Sequence, residues 1–365
     1  MASRWTKAVL AVLAAIGLFG APAAAREPLP LKPGEIWKHR HSGIAVPATL
    51  AGTPRDGGTA YAPDDLDVSL SFTADQIGES LTIYIFRNTN GGVPVWFAQA
   101  QWGIERRDIY GEPVVAIAPT AFAPPGQANA SALRTVYETR DSRYRSTGLM
   151  LLPVGDWYVK IRASSQTRAP AELAAWMDAA LADIQWPGGV PASDAARPVI
   201  ACDTPLRFEG PSRDIGGEGL RTEAVALAAM TIMNGGDSAK AEDAPDRPDQ
   251  WCRESRLDAN IATYRPDASP DRYLLAYGDN GSGLWVGPSP MNALRAERAA
   301  QDGTKAESYY SLTLHTATRD VHFISQDRLP SPARALEILD AGRHAGIVPT
   351  WGKDRNIQIN SDILE

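Results

Sequence analysis

One segment rich in proline and glycine limits how this chain can fold. It spans residues 187–198 and has the sequence PGGVPASDAARP. Proline fixes φ and removes a backbone donor, and glycine weakens helices and strands, so no regular element is expected to run through it. The segment therefore predicts a linker between two α+β domains, at residues 35–186 and 199–365. The length of 365 residues agrees with two domains.

The first 25 residues have the layout of a secretory signal peptide. Arg4 and Lys7 give a basic start, residues 8–19 are an unbroken apolar run, and residues 23–25 (AAA) supply a small-x-small cleavage pattern. The run is shorter than the roughly 20 apolar residues of a membrane span, so we expect cleavage after Ala25 rather than an anchor helix. Cleavage predicts a periplasmic or secreted protein without a membrane span. The mature chain would begin with an extended, proline-rich lead-in at residues 26–34.

Composition excludes several classes of protein. A hydrophobic content of 44% with 22% charged residues is typical of a globular chain, not of a disordered chain or a polytopic membrane protein. The formal charge is −7, from 36 Lys and Arg against 43 Asp and Glu. Because no block of basic residues is present, a nucleic-acid partner is not expected.

Two stretches of the first half predict strands. Residues 81–86 (LTIYIF) carry bulky side chains on both faces, which indicates a strand that is covered on both sides. Residues 155–156 (GD) predict a turn, and residues 157–162 (WYVKIR) then alternate apolar and polar side chains. This alternation predicts a half-buried strand with Lys160 and Arg162 on its polar face.

Two prolines predict the starts of helices in the same half. Pro94 suits the first turn of a helix that runs to about Arg107, and Pro170 opens a second helix that ends before Trp186. The second helix has an apolar stripe at helical spacing. The stripe consists of Leu173, Trp176, Met177, Leu181 and Ile184. Strands followed by such a helix predict a layered α+β domain with a largely antiparallel sheet.

The order of these patterns resembles the PsbP-like α/β/α sandwich over residues 35–187. The resemblance depends on a strand bearing Trp37 and His41, the following SGIAVP, the strands LTIYIF and GDWYVKIR, and a closing helix that ends at residues 186–187 (WP). That family has a twisted antiparallel sheet with helices on both sides. Its members mostly act in assembly or binding, so the resemblance implies a scaffold and no particular activity.

The second half predicts another α+β domain, which resembles no family in this way. Residues 220–233 are apolar on nearly every side and predict a buried helix, ended by residues 234–236 (NGG). Residues 237–250 carry five acids and two prolines, so we expect a solvated, mobile acidic loop there.

Strands and one short helix follow this loop. Residues 278–283 (GDNGSG) predict a hairpin connection, and Ser331 and Pro332 open a helix to about Leu339. Strands are predicted at 260–264, 272–277, 284–286, 309–316 and 321–324.

The only cysteines are Cys202 and Cys252. Export would place them where thiols oxidise, and two cysteines allow one intramolecular pairing. We therefore expect a disulfide that joins the first strand of the second half to the segment after the acidic loop. The alternatives are two buried free thiols, or a redox or metal pair, for which the local Cys-x-x-Cys spacing is missing.

Four histidines are candidate binding residues. His39 and His41 are two apart, so on a strand they would share a face as zinc ligands do, but a metal site needs three or four ligands. Two ordinary polar side chains on a strand are the alternative. His315 and His322 flank a predicted turn at residues 319–320 and could approach each other for acid–base or metal chemistry, in a register that the sequence leaves open.

Arg213 and Arg221 flank a glycine cluster at residues 216–219 (GGEG), directly before the predicted helix. Free N–H groups at a helix start and two guanidiniums could hold an anion. Glu218 would repel an anion, and no clear strand leads into the cluster, so a plain loop and helix cap is the alternative.

Strong catalytic motifs are missing from the chain. It contains no Gly-x-Ser-x-Gly, Ser-x-x-Lys, His-Glu-x-x-His or phosphate-binding Gly-x-x-x-x-Gly-Lys sequence. We therefore assign no catalytic residue, metal ion or cofactor. The chain is interpreted as a cell-envelope protein that acts by non-catalytic binding or assembly, with an envelope protein or a small molecule as its partner. The alternative hypothesis is a periplasmic hydrolase with its site in the interdomain cleft, using His315 or His322.

Overall fold

The computed structural model describes residues 26–217, 219, 248–257, 261–353 and 356–360. The predicted signal peptide, the predicted helix at 220–233, Arg221 and most of the predicted acidic loop therefore lie outside the described residues.

The first half of the chain contains eleven strands and two helices among the described residues. In chain order they are β1 (Glu27–Pro28), β2 (Trp37–Lys38), β3 (Ala45–Val46), β4 (Thr49–Leu50), β5 (Thr53–Ala60), β6 (Asp67–Ala74), β7 (Glu79–Arg87), α1 (Val93–Glu105), β8 (Val114–Phe122), β9 (Ala132–Glu138), β10 (Ser146–Val154), β11 (Trp157–Ser165) and α2 (Pro170–Asp183). The predicted strand at 81–86 lies within β7, and both predicted helices are confirmed.

Nine of these strands form one antiparallel sheet. Its spatial order is β1-β5-β6-β7-β11-β10-β9-β8, and β4 also pairs with β5. Helix α2 covers one face, because its predicted stripe is buried against apolar side chains of the sheet. The backbone N–H of Ala169 donates to Glu172 at 2.7 Å and so caps the start of α2.

Helix α1 covers the opposite face of this sheet. Trp96 and Phe97 are fully buried, and the indole N–H of Trp96 donates to the carbonyl of Asn90 at 2.8 Å. The prediction that β11 is a half-buried strand is therefore wrong. Its second face is also covered, since Tyr158 and Lys160 are both 2% exposed. The alternation in WYVKIR indicated a polar face, but side chains from α1 and from the second half cover it.

The second half forms a separate sheet in which every strand pairs with its neighbour in the chain. Its elements are β12 (Ile200–Ala201), β13 (Trp251–Arg256), β14 (Ile261–Pro266), β15 (Tyr273–Tyr277), β16 (Gly283–Pro288), α3 (Asn292–Asp302), β17 (Tyr310–His315), β18 (Arg319–Phe323), α4 (Pro332–Asp340), β19 (His344–Pro349) and β20 (Gln358–Ile359). All pairs are antiparallel except β12 with β13. The predicted hairpin between β15 and β16 is confirmed, and so is the α4 cap, where Ser331 accepts from the Arg334 N–H at 3.2 Å.

The layers of the molecule share their hydrophobic clusters. One face of the second sheet packs on α4, and the other contributes Trp251, Tyr264 and Leu274 to the cluster that contains α1. The described residues are thus mostly sheet with four helices, in agreement with an α+β fold. The division into two domains stays a prediction, since one buried cluster draws side chains from both halves.

The predicted disulfide is confirmed. Cys202 and Cys252 are bonded, with Cα atoms 4.9 Å apart. The bridge lies where β12 runs parallel to β13, and the Cys202 N–H donates to the carbonyl of Arg253 at 3.1 Å. It therefore fixes the first edge of the second sheet.

Candidate functional site

His39 and His41 lie next to each other, but they do not share a strand as predicted. β2 ends at Lys38 and the chain turns at residues 40–42, so the pairing with β3 is too short to include either histidine. The His39 ring is buried, with Nδ1 2.8 Å from the Ser42 hydroxyl and Nε2 2.9 Å from the Asp65 carbonyl. Burial lowers the pKa of His39. Both of its nitrogens are occupied, so this ring supports the local structure.

His41 belongs to an aromatic joint between the two halves. Its ring lies parallel to Trp157 at 6.0 Å and meets Trp351, of the second half, edge-on at 4.8 Å. The Trp351 indole N–H donates to Asp64 at 2.7 Å and lowers the pKa of that carboxyl group. Arg87 stacks on Trp351 at 5.1 Å and donates to the Ala317 carbonyl at 3.0 Å. The joint thus consists of contacts that the chain makes with itself.

A second joint, the hairpin joint, is formed by the tip of the β15–β16 hairpin. Asp279 accepts from Lys160 at 2.8 Å and lies 3.2 Å from Arg162, while Asn280 donates to Asp67 at 3.2 Å. The Lys160 ammonium also lies 4.6 Å from the centre of the Tyr84 ring, within cation–π range. The tip therefore sits in a charged recess of the first sheet.

The two carboxyl groups in this recess titrate in opposite directions. Burial raises the pKa of Asp67 to about 6, and the charge of Lys160 only partly opposes it. Burial would also raise the pKa of Asp279, but Lys160 and Arg162 together outweigh it and hold that pKa at about 2. Divergent pKa values mark functional sites in enzymes, but ion-pair networks produce them as well. Here the charges pair within the chain.

The structure brings His315 and His322 onto one face of the second sheet. His315 lies opposite Asp320 and Thr313 opposite His322, so the four side chains share one face. The predicted turn at residues 319–320 is wrong: Arg319 and Asp320 belong to β18, and the chain turns at residues 316–318. That shift makes Asp320 the cross-strand partner of His315.

The surroundings of this cluster shift the pKa values of the two imidazoles in opposite directions. His315 Nδ1 lies 2.8 Å from Asp320, whose carboxylate outweighs burial and raises the pKa of His315. His322 Nδ1 lies 3.1 Å from the Thr313 hydroxyl, its Nε2 is buried without a hydrogen-bond partner, and burial lowers its pKa to about 4. An imidazole held by a carboxylate is the arrangement of a general base.

A metal role for this cluster lacks support. Within the described ranges, no group of three or more His, Cys, Asp or Glu side chains could hold a metal ion. Neither His315 nor His322 is hydrogen-bonded to a serine hydroxyl or a thiol in this part of the chain. The cluster thus supplies an oriented base at His315 and one hydroxyl, that of Thr313, beside His322.

Arg213 lies in a network of ion pairs and backbone contacts. Its backbone N–H donates to the Asp327 carboxylate at 2.8 Å, and the neighbouring Asp214 pairs with Arg334 and Arg343. The anions beside Arg213 are therefore the carboxylates of Asp214 and Asp327 in the same chain. The predicted pairing with Arg221 concerns a residue outside the described part.

Strand β8 forms a sheet edge that the sequence patterns did not predict. Val114 and Val115 are 44% and 46% exposed, and no strand among the described residues pairs with the outer side of β8. The other strands at the ends of the sheet orders, β1, β12 and β20, have two residues each, whereas β8 has nine. One signal could have revealed it: residues 113–133 contain no Asp, Glu, Lys, Arg or His.

A shallow cleft lies beside this edge, between the sheet and α2. Arg134 and Asp178 form an ion pair at 2.8 Å there, and Met150 and Met177 also line the cleft. Both methionines are buried in the core under α2, so the exposed part of this cleft is the ion pair.

No family model, curated protein or solved structure matches this chain. Among the described residues, no helix is long and apolar enough to cross a membrane.

Proposed function

We propose that this is a periplasmic or secreted protein that acts by binding or assembly, and that it engages its partner through the β8 edge. The observation that carries the proposal is the length of this exposed, uncharged edge strand. Unpaired N–H and C=O groups along a strand edge are a template for a further strand, and natural proteins usually protect such edges.

The contrast with the other edges supports this choice. β1, β12 and β20 are shortened to two residues, and β12 is further tied down by the disulfide. Short edge strands are a common protection against unwanted pairing. β8 is longer, and although Pro119 and two register shifts protect its second half, its first residues from Val114 on stay exposed, which a binding role explains.

The compartment and the scaffold are part of the proposal. The predicted signal peptide directs the chain out of the cytoplasm, and the intramolecular disulfide is compatible with an oxidising compartment. A PsbP-like first half also stays a proposal, and it agrees with a binding or assembly role because that family mostly acts in this way.

Photo-cross-linking in cells tests the binding role. A photo-reactive amino acid replaces Val115 in one variant and Leu294, an exposed apolar residue on α3, in a control. We expect discrete cross-linked adducts from position 115 and none from position 294. If position 115 gives no more adduct than position 294, the β8 edge has no partner and the proposal fails.

A hydrolase is the second candidate, and the His315–Asp320 contact favours it. In such a reaction, His315 Nε2 would take a proton from a water molecule whose oxygen attacks the carbonyl carbon of an ester, and Asp320 would stabilise the imidazolium. The C–O bond to the leaving group would then break, and the imidazolium would return the proton to the leaving alkoxide. Purified protein should then hydrolyse a chromogenic ester, and His315→Gln should lower kcat by about 10²-fold or more. Equal rates for the two proteins would exclude this candidate.

A further inference from the structure

We propose that the partner of the β8 edge is a second copy of this chain, whose β8 adds antiparallel to the first about a twofold axis. The two nine-stranded sheets would then become one continuous sheet. This inference rests on the proposed function, because it specifies the partner of the same edge.

The absence of charge favours self-pairing over a foreign partner. In a twofold interface the same patch meets itself, so every charge near the axis would face its own copy. Like charges directly opposite each other on paired strands are destabilising. Residues 113–133 present no charge at all, which removes this repulsion and offers a foreign partner no charge to recognise.

Glu112, which precedes this stretch in the sequence, also avoids its own copy. With the axis at Val115, Glu112 lies opposite Ala118; with the axis at Ile117, it lies opposite Phe122. Any axis from 114 to 117 thus places Glu112 against an uncharged residue.

The pairing has a defined extent. Pro119 lacks an N–H group, and the register of β8 against β9 shifts between Val115 and Ile117 and again between Ile117 and Thr120. The second half of β8 is therefore a poor template, so we place the axis at Val115, where the two copies of this residue lie opposite each other. Such a short contact predicts a dimer that dissociates on dilution rather than a permanent one.

Sedimentation measurements over a dilution series of the mature protein test the proposal. We expect a mass that changes from two chains to one as the protein is diluted, with little dependence on salt because the residues that pair carry no charge. Val115→Lys should be monomeric throughout, while the control Leu294→Lys should behave like the original protein. Far-ultraviolet circular dichroism verifies that both variants are folded.

A mixture of two variants with opposite charges at position 115 tests the contact even if one variant alone is destabilised. Val115→Lys and Val115→Glu should each be monomeric alone, and an equal mixture should form a heterodimer, since opposite charges across paired strands attract. An original protein that is monomeric at every concentration, or a Val115→Lys variant that still dimerises, overturns the proposal. If the protein is monomeric but position 115 still cross-links a foreign protein in cells, the binding role stands and only self-pairing fails.

Discussion

Two regions of this molecule treat charge in opposite ways. Where the two halves meet, Lys160, Asp279 and Arg162 form ion pairs at the first sheet, and the aromatic joint adds Arg87 and Asp64. At the β8 edge, residues 113–133 carry no charge, and apolar side chains are exposed. The difference teaches that the contacts between the two halves use charged groups, whereas the edge proposed to bind a partner is made of uncharged residues.

The largest expected effect comes from breaking the hairpin joint. Asp279→Ala removes the carboxylate that Lys160 meets at 2.8 Å and leaves a buried ammonium group with one backbone carbonyl. We expect the free energy of unfolding in urea to fall by about 3 kcal/mol.

A matched control is Asp178→Ala, which breaks the exposed ion pair with Arg134 and should cost less than about 1 kcal/mol. Similar losses for the two variants would mean that the charges at the joint contribute no more than surface charges.

Removal of the disulfide is expected to cause the next largest loss of stability. The disulfide lies at β12, an edge of the second sheet that is protected rather than open. The Cys202→Ser, Cys252→Ser double variant frees a loop whose ends are 50 residues apart in sequence. The chain-entropy model gives up to about 4 kcal/mol, an upper value, so we expect a loss of about 2 kcal/mol in urea unfolding. A double variant as stable as the original under oxidising conditions would show that this edge is held by its other contacts.

The pH dependence of stability tests the buried carboxyl group of the hairpin joint. The pKa of Asp67 is about 6 in the folded protein against an ordinary value of 3.8. The folded state therefore binds this proton more tightly, and the contribution of Asp67 to stability is greatest below pH 4 and is lost as pH rises through 6.

Asp67→Asn should remove this dependence and gain on the order of 2 kcal/mol over the original protein at pH 7. A stability difference between the two proteins that stays constant from pH 4 to pH 7 would contradict the pKa of Asp67.

The smallest effect is expected at the open edge. Val115→Lys places a charge on an exposed side chain, so the free energy of unfolding of the monomer should change by no more than about 0.5 kcal/mol. Thermal or urea unfolding at low protein concentration measures it. A large loss would show that Val115 supports the sheet itself, and would remove the distinction between the two regions.

Local signals predicted much of this fold. Three of these features depend on residues that are close in sequence: the stripe on α2, the Ser331 cap and the turn residues at 278–283. The disulfide was predictable because two cysteines allow only one pairing. Such features are available from the sequence because few alternatives satisfy them.

Features that depend on distant partners could not be predicted. The pattern of β11 placed Lys160 in solvent, because its partner Asp279 lies 119 residues further along the chain. The contact of His315 with Asp320 required the register of β17 and β18, and a turn placed three residues too late hid it. β8 lacks any regular alternation, since its bulges disturb the period of two on which strand prediction depends.

The linker at residues 187–198 has a consequence for how this protein can be divided. Ala196 is buried with its N–H on the Ala130 carbonyl, and Gln99 of α1 reaches across to Tyr264 and to two carbonyls of the second sheet. A protease that nicks the linker would therefore leave two fragments held together by a common interior. Because α1 packs against side chains of both sheets, removal of either half would expose apolar side chains of the other half to water.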